Sequence, residues 1–170
     1  MTFLELAAER WTCRKYAPTP VEQEKIDAIL EAIRLAPTSK NTQGHHTWVL
    51  KSESAMERIN QVSPCIYGAP VAIVMGYNPA EPWVRPEDDK NFGEIDTSIA
   101  GTHLILEAWE QGVSTTWIGV FDPAKLIELF PEMEGYCPVA VFALGYPAED
   151  AQPAPLHTNS KTIEELVTVL

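Results

Sequence analysis

Gly93-Glu94-Ile95-Asp96-Thr97-Ser98-Ile99-Ala100-Gly101-Thr102-His103-Leu104-Ile105-Leu106-Glu107-Ala108-Trp109-Glu110-Gln111-Gly112 is the stretch on which the fold turns. Ile95, Ile99, His103 and Leu106 recur at helical spacing, and glycine bounds the run at either end, so it predicts one long apolar helix at the centre of the fold. Upstream, Val71 to Tyr77 is rich in β-branched residues between Pro70 and Pro79 and reads as a buried strand. Downstream, Val113–Val120 and Pro138–Leu144 read as strands, and Asp122-Pro123 opens a helix with Leu126, Ile127 and Phe130 inward. Toward the N-terminus, Thr2 with Glu5 has capping-box spacing, with Phe3, Leu6 and Ala7 on one face. Thr19-Pro20-Val21-Glu22 then predicts a second helix start, carrying Ile26, Ile29, Leu30 and Ile33 and ended by Pro37. Thr47–Lys51 reads as a strand, Ser54 with Glu57 as the start of a short helix, and Thr162 with Glu165 as the start of a last one. Helices and strands mix without regular alternation, which predicts an α+β fold rather than a doubly wound sheet.

The 170 residues match one domain, 1–170, at a prior of about 150 residues each. A chain of this length buries enough surface to hold a core without disulfides or structural metal. Apolar runs such as Val71–Met75 fall far short of the ~18 residues a membrane span needs. No basic n-region precedes Phe3-Leu4, so no signal peptide is expected. Cys13, Cys65 and Cys137 are odd in number and widely spaced, suggesting neither a disulfide framework nor a metal site. A cytoplasmic location is the expectation. Twelve basic residues stand against 24 acidic ones, net −12, which argues against nucleic-acid binding. The imbalance is uneven: residues 1–51 carry net +1 and residues 52–170 net −13, so the cations cluster near Arg10, Arg14 and Lys15. A small-anion site would need that, although surface charge also drifts.

Catalytic signatures for nucleophilic, P-loop, zincin or dinucleotide chemistry are missing. Cys13 lies between Arg10 and Arg14, where positive charge favours a thiolate, though packing is the commoner role of such a cysteine. His45-His46 are adjacent and a poor chelating pair, and His103 reads as a core histidine bonded to a neighbour. Three segments carry more. Arg10-Trp11-Thr12-Cys13-Arg14 offers two guanidinium forks and a hydroxyl suited to phosphate oxygens. Pro37-Thr38-Ser39-Lys40-Asn41-Thr42-Gln43 supplies short donors and acceptors suited to a heterocycle or polyol, or forms a solvated turn. Thr115-Thr116-Trp117-Ile118-Gly119 ends a strand on a glycine that a flat ligand could approach. Residues 78–93 form a long loop with Trp83, Arg85 and Phe92, a candidate lid whose Trp83 and Phe92 could stack on flat acceptors or pack elsewhere.

Taken in order, these segments resemble the nitroreductase family of FMN-dependent oxidoreductases. The resemblance is carried by Arg10-x-Thr12-x-Arg14, Ala36-Pro37-Thr38-Ser39-x-Asn41-x-Gln43 and Glu94-Ile95-Asp96. It continues through Gly112, Thr116-Trp117-Ile118-Gly119, Leu144-Gly145-Tyr146-Pro147, His157 and Glu164-Glu165-Leu166-Val167. It implies a mostly antiparallel central sheet flanked by helices, and a homodimer with FMN in two clefts at the subunit interface. It further implies ping-pong electron transfer from NADH or NADPH to small acceptors such as nitroaromatics, quinones or free flavin, with no catalytic side chain. By resemblance, the cofactor residues are Arg10, Trp11, Thr12 and Arg14, then Pro37, Thr38, Ser39, Asn41 and Gln43 from the partner subunit. Trp117, Ile118 and Gly119 lie beside the flavin ring, and Lys161 lies near the phosphate. Relatives carry a basic pair in the tail where this chain has Ser160-Lys161, which predicts weakened FMN binding, since one charge-assisted hydrogen bond is worth ~1.5–3 kcal/mol. The other readings are a flavin-binding storage or sensor protein and a thiol enzyme built on Cys13.

Overall fold

The computed structural model describes residues 2–170. Its centre is β2 (Val71–Tyr77), buried on both faces except at Tyr77, as a run bounded by prolines and free of charge dictates. It pairs antiparallel with β1 (His45–Leu50) on one side and β6 (Cys137–Gly145) on the other, and β5 (Ser114–Ile118) adds antiparallel to β6. The sheet order is therefore β1-β2-β6-β5, antiparallel throughout. Strand alternation sends Ile73, Met75, Ala140, Phe142 and Leu144 to one face, against α2 (Gln23–Leu35) and α4 (Gly93–Glu110). Ala72, Val74, Val141 and Ala143 go to the other, against α3 (Glu53–Val62) and α5 (Pro123–Leu129). The short helices α1 (Phe3–Glu9) and α6 (Ile163–Leu166) stand at the two ends of the chain.

The long helix forms where the sequence places it, and Gly112, at φ +71°, ends it by taking the left-handed conformation. The expected inward stripe of Ile95, Ile99, His103 and Leu106 is not the buried one. The buried positions are instead Gly93, Asp96, Thr97, Ala100, Gly101, Leu104 and Ala108. The helix is apolar around much of its circumference, so closeness of approach decides its rotation, and the small residues win. A β-carbon on Gly101 would stand 2.7 Å from Phe142 and 3.0 Å from Trp117. His103 is half-buried, with Nδ1 3.0 Å from the Ile99 carbonyl.

Two helix starts differ from expectation. Helix α2 begins at Gln23 with Glu22 at the cap, not at Thr19, because the Tyr146 hydroxyl engages the Glu22 carboxylate and the backbone stays extended there. Helix α3 is capped by Ser52, whose Oγ accepts from the Ala55 N–H at 3.2 Å, so Ser54 lies inside it. The capping boxes at Thr2/Glu5 and Thr162/Glu165 and the Asp122 cap form as read. The 78–93 loop contains a small hairpin of β3 (Val84–Arg85) and β4 (Lys90–Asn91).

Candidate functional site

After α1 the chain runs extended through residues 10–16 and lies along the free edge of β5. The Cys13 N–H donates to the Thr115 carbonyl at 3.0 Å, and Thr12 and Thr115 form a parallel bridge. Tyr16 pins the far end. Its buried hydroxyl lies 2.9 Å from Thr116 Oγ1 and donates to the Ala143 carbonyl at 3.1 Å, and Thr116 Oγ1 in turn donates to the Cys13 carbonyl. Burial drives the Tyr16 phenol far above its usual value, so it stays a neutral donor. Extended backbone alternates sides, and this sorts the segment. Arg10, Thr12 and Arg14 line one cleft of about 270 Å³ together with Ala154, Leu156 and His157. Trp11 points away from it and lines a separate cleft with Trp109 and Pro147.

Cys13 also points inward and is 0% exposed, with Sγ 3.1 Å from the Lys15 carbonyl. Burial pushes its thiol up, opposite to the thiolate that neighbouring arginines would favour, so it is a packing residue. Arg34 and Arg85 are paired with carboxylates, whereas among the described residues neither Arg10 nor Arg14 makes an ion pair. In a chain of net −12, two guanidiniums left without carboxylates beside a hydroxyl make an anion-accepting cleft.

Arg14 also borders a second cleft, of about 180 Å³, lined by Cys65, Tyr67 and the stretch Thr116–Val120. The two clefts therefore meet at one guanidinium and run from the arginine segment to the end of β5. Trp117 is 38% exposed and packs edge-on against Phe142, while Ile118 is buried in the core. A β-carbon on Gly119 would meet nothing within 4 Å, so the backbone at this strand end is open on its outer side. Tyr67 and Cys65 at this cleft carry no signal in the sequence that separates them from ordinary loop residues; His157, at the first, is one of the motifs that carry the resemblance, without a role assigned to it there. The Tyr67 hydroxyl is shifted upward, first by a hydrogen bond with Cys65 and then by burial. Lys161 is exposed and lines neither cleft.

The loop of residues 37–43 lies elsewhere on the protomer and contributes nothing to either cleft. It contains a single 3-10 turn over Ser39–Asn41, with Lys40, Asn41 and Gln43 all at positive φ (54°, 55° and 52°). Pro37, Asn41 and Gln43 are exposed, and Thr38 and Ser39 are half-buried. Trp83 and Phe92 pack on each other at 4.8 Å between ring centroids, with the Arg85 guanidinium over Phe92 at 5.6 Å. A larger cleft of about 490 Å³ follows the outer face of α4, lined by Lys90, Asn91, Glu94, Ile95, Ser98, Ile99 and Thr102. It holds none of the residues singled out from the sequence as ligand-binding.

The chain matches the family model described as Nitroreductase family over residues 7–65 and 63–146. It is 32% identical over 157 residues to a protein of Methanothermobacter thermautotrophicus named for NADH dehydrogenase and NAD(P)H nitroreductase activity, covering 88% of this chain and 80% of that one. It is 28% identical over 162 residues to the FMN reductase [NAD(P)H] of Bacillus subtilis, covering 84% of this chain and 64% of that one. The crystal structure of a nitroreductase family protein from Clostridium difficile superposes with a TM-score of 0.92 at 31% identity, covering 99% of this chain and 98% of that one.

Proposed function

This chain belongs to the nitroreductase family, and from that premise we propose that it is an FMN-dependent oxidoreductase, one domain over residues 1–170. It moves electrons from NADH or NADPH to small acceptors such as nitroaromatics, quinones or free flavin. The observation that carries this reading is the pair of guanidiniums, Arg10 and Arg14, without an ion pair among the described residues, facing one cleft that continues to the open backbone at Gly119. That donor set fits a flavin mononucleotide, an anionic phosphate joined through a polyol to a flat ring. When bound, FMN supplies the chemistry, accepting a hydride from the nicotinamide and passing electrons to the acceptor in ping-pong order. Arg10, Thr12 and Arg14 hold the phosphate and the pyrimidine edge, with Lys161 in the tail adding positive charge near the phosphate. Trp117, Ile118 and Gly119 present their backbone to the ring, and the missing β-carbon at Gly119 permits close approach.

The 37–43 loop reaches the cofactor of a second copy of the chain in this reading, so the site is completed by homodimerisation. Two features support that arrangement. The loop lines neither of the two clefts bordered by Arg14, and the C-terminal residues Ile163, Leu166, Val167, Val169 and Leu170 are all more than half exposed. An exposed tail of apolar residues and the half-buried Ile95 and Ile99 on α4 suit contact with a partner.

The deciding experiment is FMN titration of the apoprotein followed by anaerobic reduction. Wild type should take up FMN and bleach with NADH or NADPH, then recover its colour when a quinone is added. Arg14→Gln should raise the Kd about ten- to a hundredfold, the equivalent of one charge-assisted hydrogen bond of ~1.5–3 kcal/mol. A flavin that binds but is not reduced would turn the assignment to cofactor storage or sensing.

A further inference from the structure

Three residues of the 37–43 loop, Lys40, Asn41 and Gln43, hold the left-handed backbone conformation although each carries a β-carbon. Such a conformation persists only where the surroundings over-determine it. Within the loop, Thr38 Oγ1 accepts from the Gln43 N–H at 3.0 Å, and the Asn41 and Thr42 N–H groups donate to the Thr38 and Ser39 carbonyls. From outside it, one side chain bonds to residues 38–43 among the described residues, and that is Asp96, in the first turn of α4. Its Oδ1 accepts both the Ser39 N–H at 3.0 Å and the Ser39 Oγ–H at 2.9 Å.

Asp96 is only 2% exposed, and its other oxygen, Oδ2, has no partner among the described residues. Three more buried polar atoms lack partners among the described residues: Thr42 Oγ1 within the loop, and His45 Nδ1 and Thr47 Oγ1 in β1, which follows it. His45 and Thr47 lie on the face of β1 shared with Val49, which packs in the same cluster as α4, and the Asp96 charge acts on the His45 ring. A buried carboxylate with one oxygen unpaired is a poor contributor to stability. What its burial secures is the geometry of Ser39.

We propose that Asp96 is the positioning residue of this site, tying the left-handed 38–43 loop to the rigid first turn of α4 so that Asn41 and Gln43 are presented to the ligand in one conformation. The proposal deepens the flavin reading and rests on it for the identity of the ligand, but the loop anchoring itself does not depend on FMN. Asp96 touches no ligand in this scheme, and its effect passes through Ser39.

Hydrogen exchange by mass spectrometry on the purified full chain, with and without added FMN, separates the two layers. Asp96→Ala should speed exchange across residues 37–44 at least tenfold while leaving β2 peptides unchanged. Asp96→Asn should restore protection to within about threefold, because its amide oxygen accepts the same two bonds. In parallel, Asp96→Ala should raise the FMN Kd at least tenfold, and Asp96→Asn should largely recover it. Should Asp96→Ala fail to fold, Ser39→Ala removes one of the two bonds and should give a smaller loosening confined to the same peptide. A loop as protected in Asp96→Ala as in wild type would overturn the proposal, as would loosening spread evenly through β2 or an unchanged Kd beside a loosened loop. A wild type that binds no FMN, with the local loosening still seen, would retain the anchor and sink the flavin reading.

Discussion

His45 shows how a single side chain can set a pH limit. Burial lowers its pKa first of all; the Asp96 charge pulls it part of the way back, and His46 lowers it by a lesser amount. Its unfolded value lies near 6.5, so below that pH the unfolded chain binds a proton that the folded chain resists. The corresponding stability is present above about pH 6.5 and is lost as the pH falls toward and through the lowered folded value. Thermal melts from pH 7.5 to 5.0 should show wild type losing ground to His45→Gln, a parallel decline in the two proteins being the contrary result. The lowered carboxylates Glu5, Glu22, Glu31, Asp88, Asp150 and Glu164 are solvent-exposed and lie below their ordinary values of 4.5 or 3.8, outside that window. Cys13 makes the complementary point: two arginine neighbours in sequence say thiolate, and a fully buried sulfur says thiol.

At the scale of elements, the arginine segment is placed by hydrogen bonds rather than by any strand pattern of its own. Tyr16 is its staple, since one hydroxyl serves both Thr116 and the Ala143 carbonyl. Tyr16→Phe removes that hydroxyl from a buried site at a cost of about 1–3 kcal/mol. The melting temperature should fall by roughly 2–10 °C for a chain of this size, and FMN affinity should fall with it because Arg14 loses its anchor two residues away. Calorimetry and flavin titration read the two effects, and a Tm within a degree of wild type would show that the staple is idle. The 78–93 hairpin is a second element whose role lies in its contacts. Trp83 and Phe92 spend part of their faces on each other and on Arg85. If the loop acts as the lid expected from the sequence, alanine at both positions should alter KM for aromatic acceptors more than kcat, and unchanged kinetics with every acceptor would dismiss it.

For the whole molecule, the apolar tail decides a question of assembly. Residues after 162 are exposed throughout in one protomer, which favours their burial against a second copy. In the proposed homodimer, truncation after Lys161 should shift the mass measured by light scattering from dimer toward monomer and should lower FMN occupancy in step. A truncated chain that stays dimeric with full flavin would place the dimer contact elsewhere, along the Ile95 and Ile99 face of α4.

How much of this was legible in the amino-acid order differs by feature. Local chemistry set the capping boxes at Thr2 and Thr162, the Asp122 cap, the proline-bounded strand Val71–Tyr77 and the span of the long helix, because each depends on neighbours a few residues away. The order of the motifs from Arg10 to Val167 likewise placed the chain in its family. Tertiary structure alone decided the rotation of α4, since an apolar helix can turn almost any face inward and only the contact of Gly101 with Phe142 and Trp117 selects one. It alone moved the start of α2 to Gln23, through a tyrosine 124 residues away from Glu22. It brought His157, Cys65 and Tyr67 to the clefts, and it joined Ser39 to Asp96 across 57 residues. Such pairings have no period and no spacing, so they exist only once the sheet and α4 are packed.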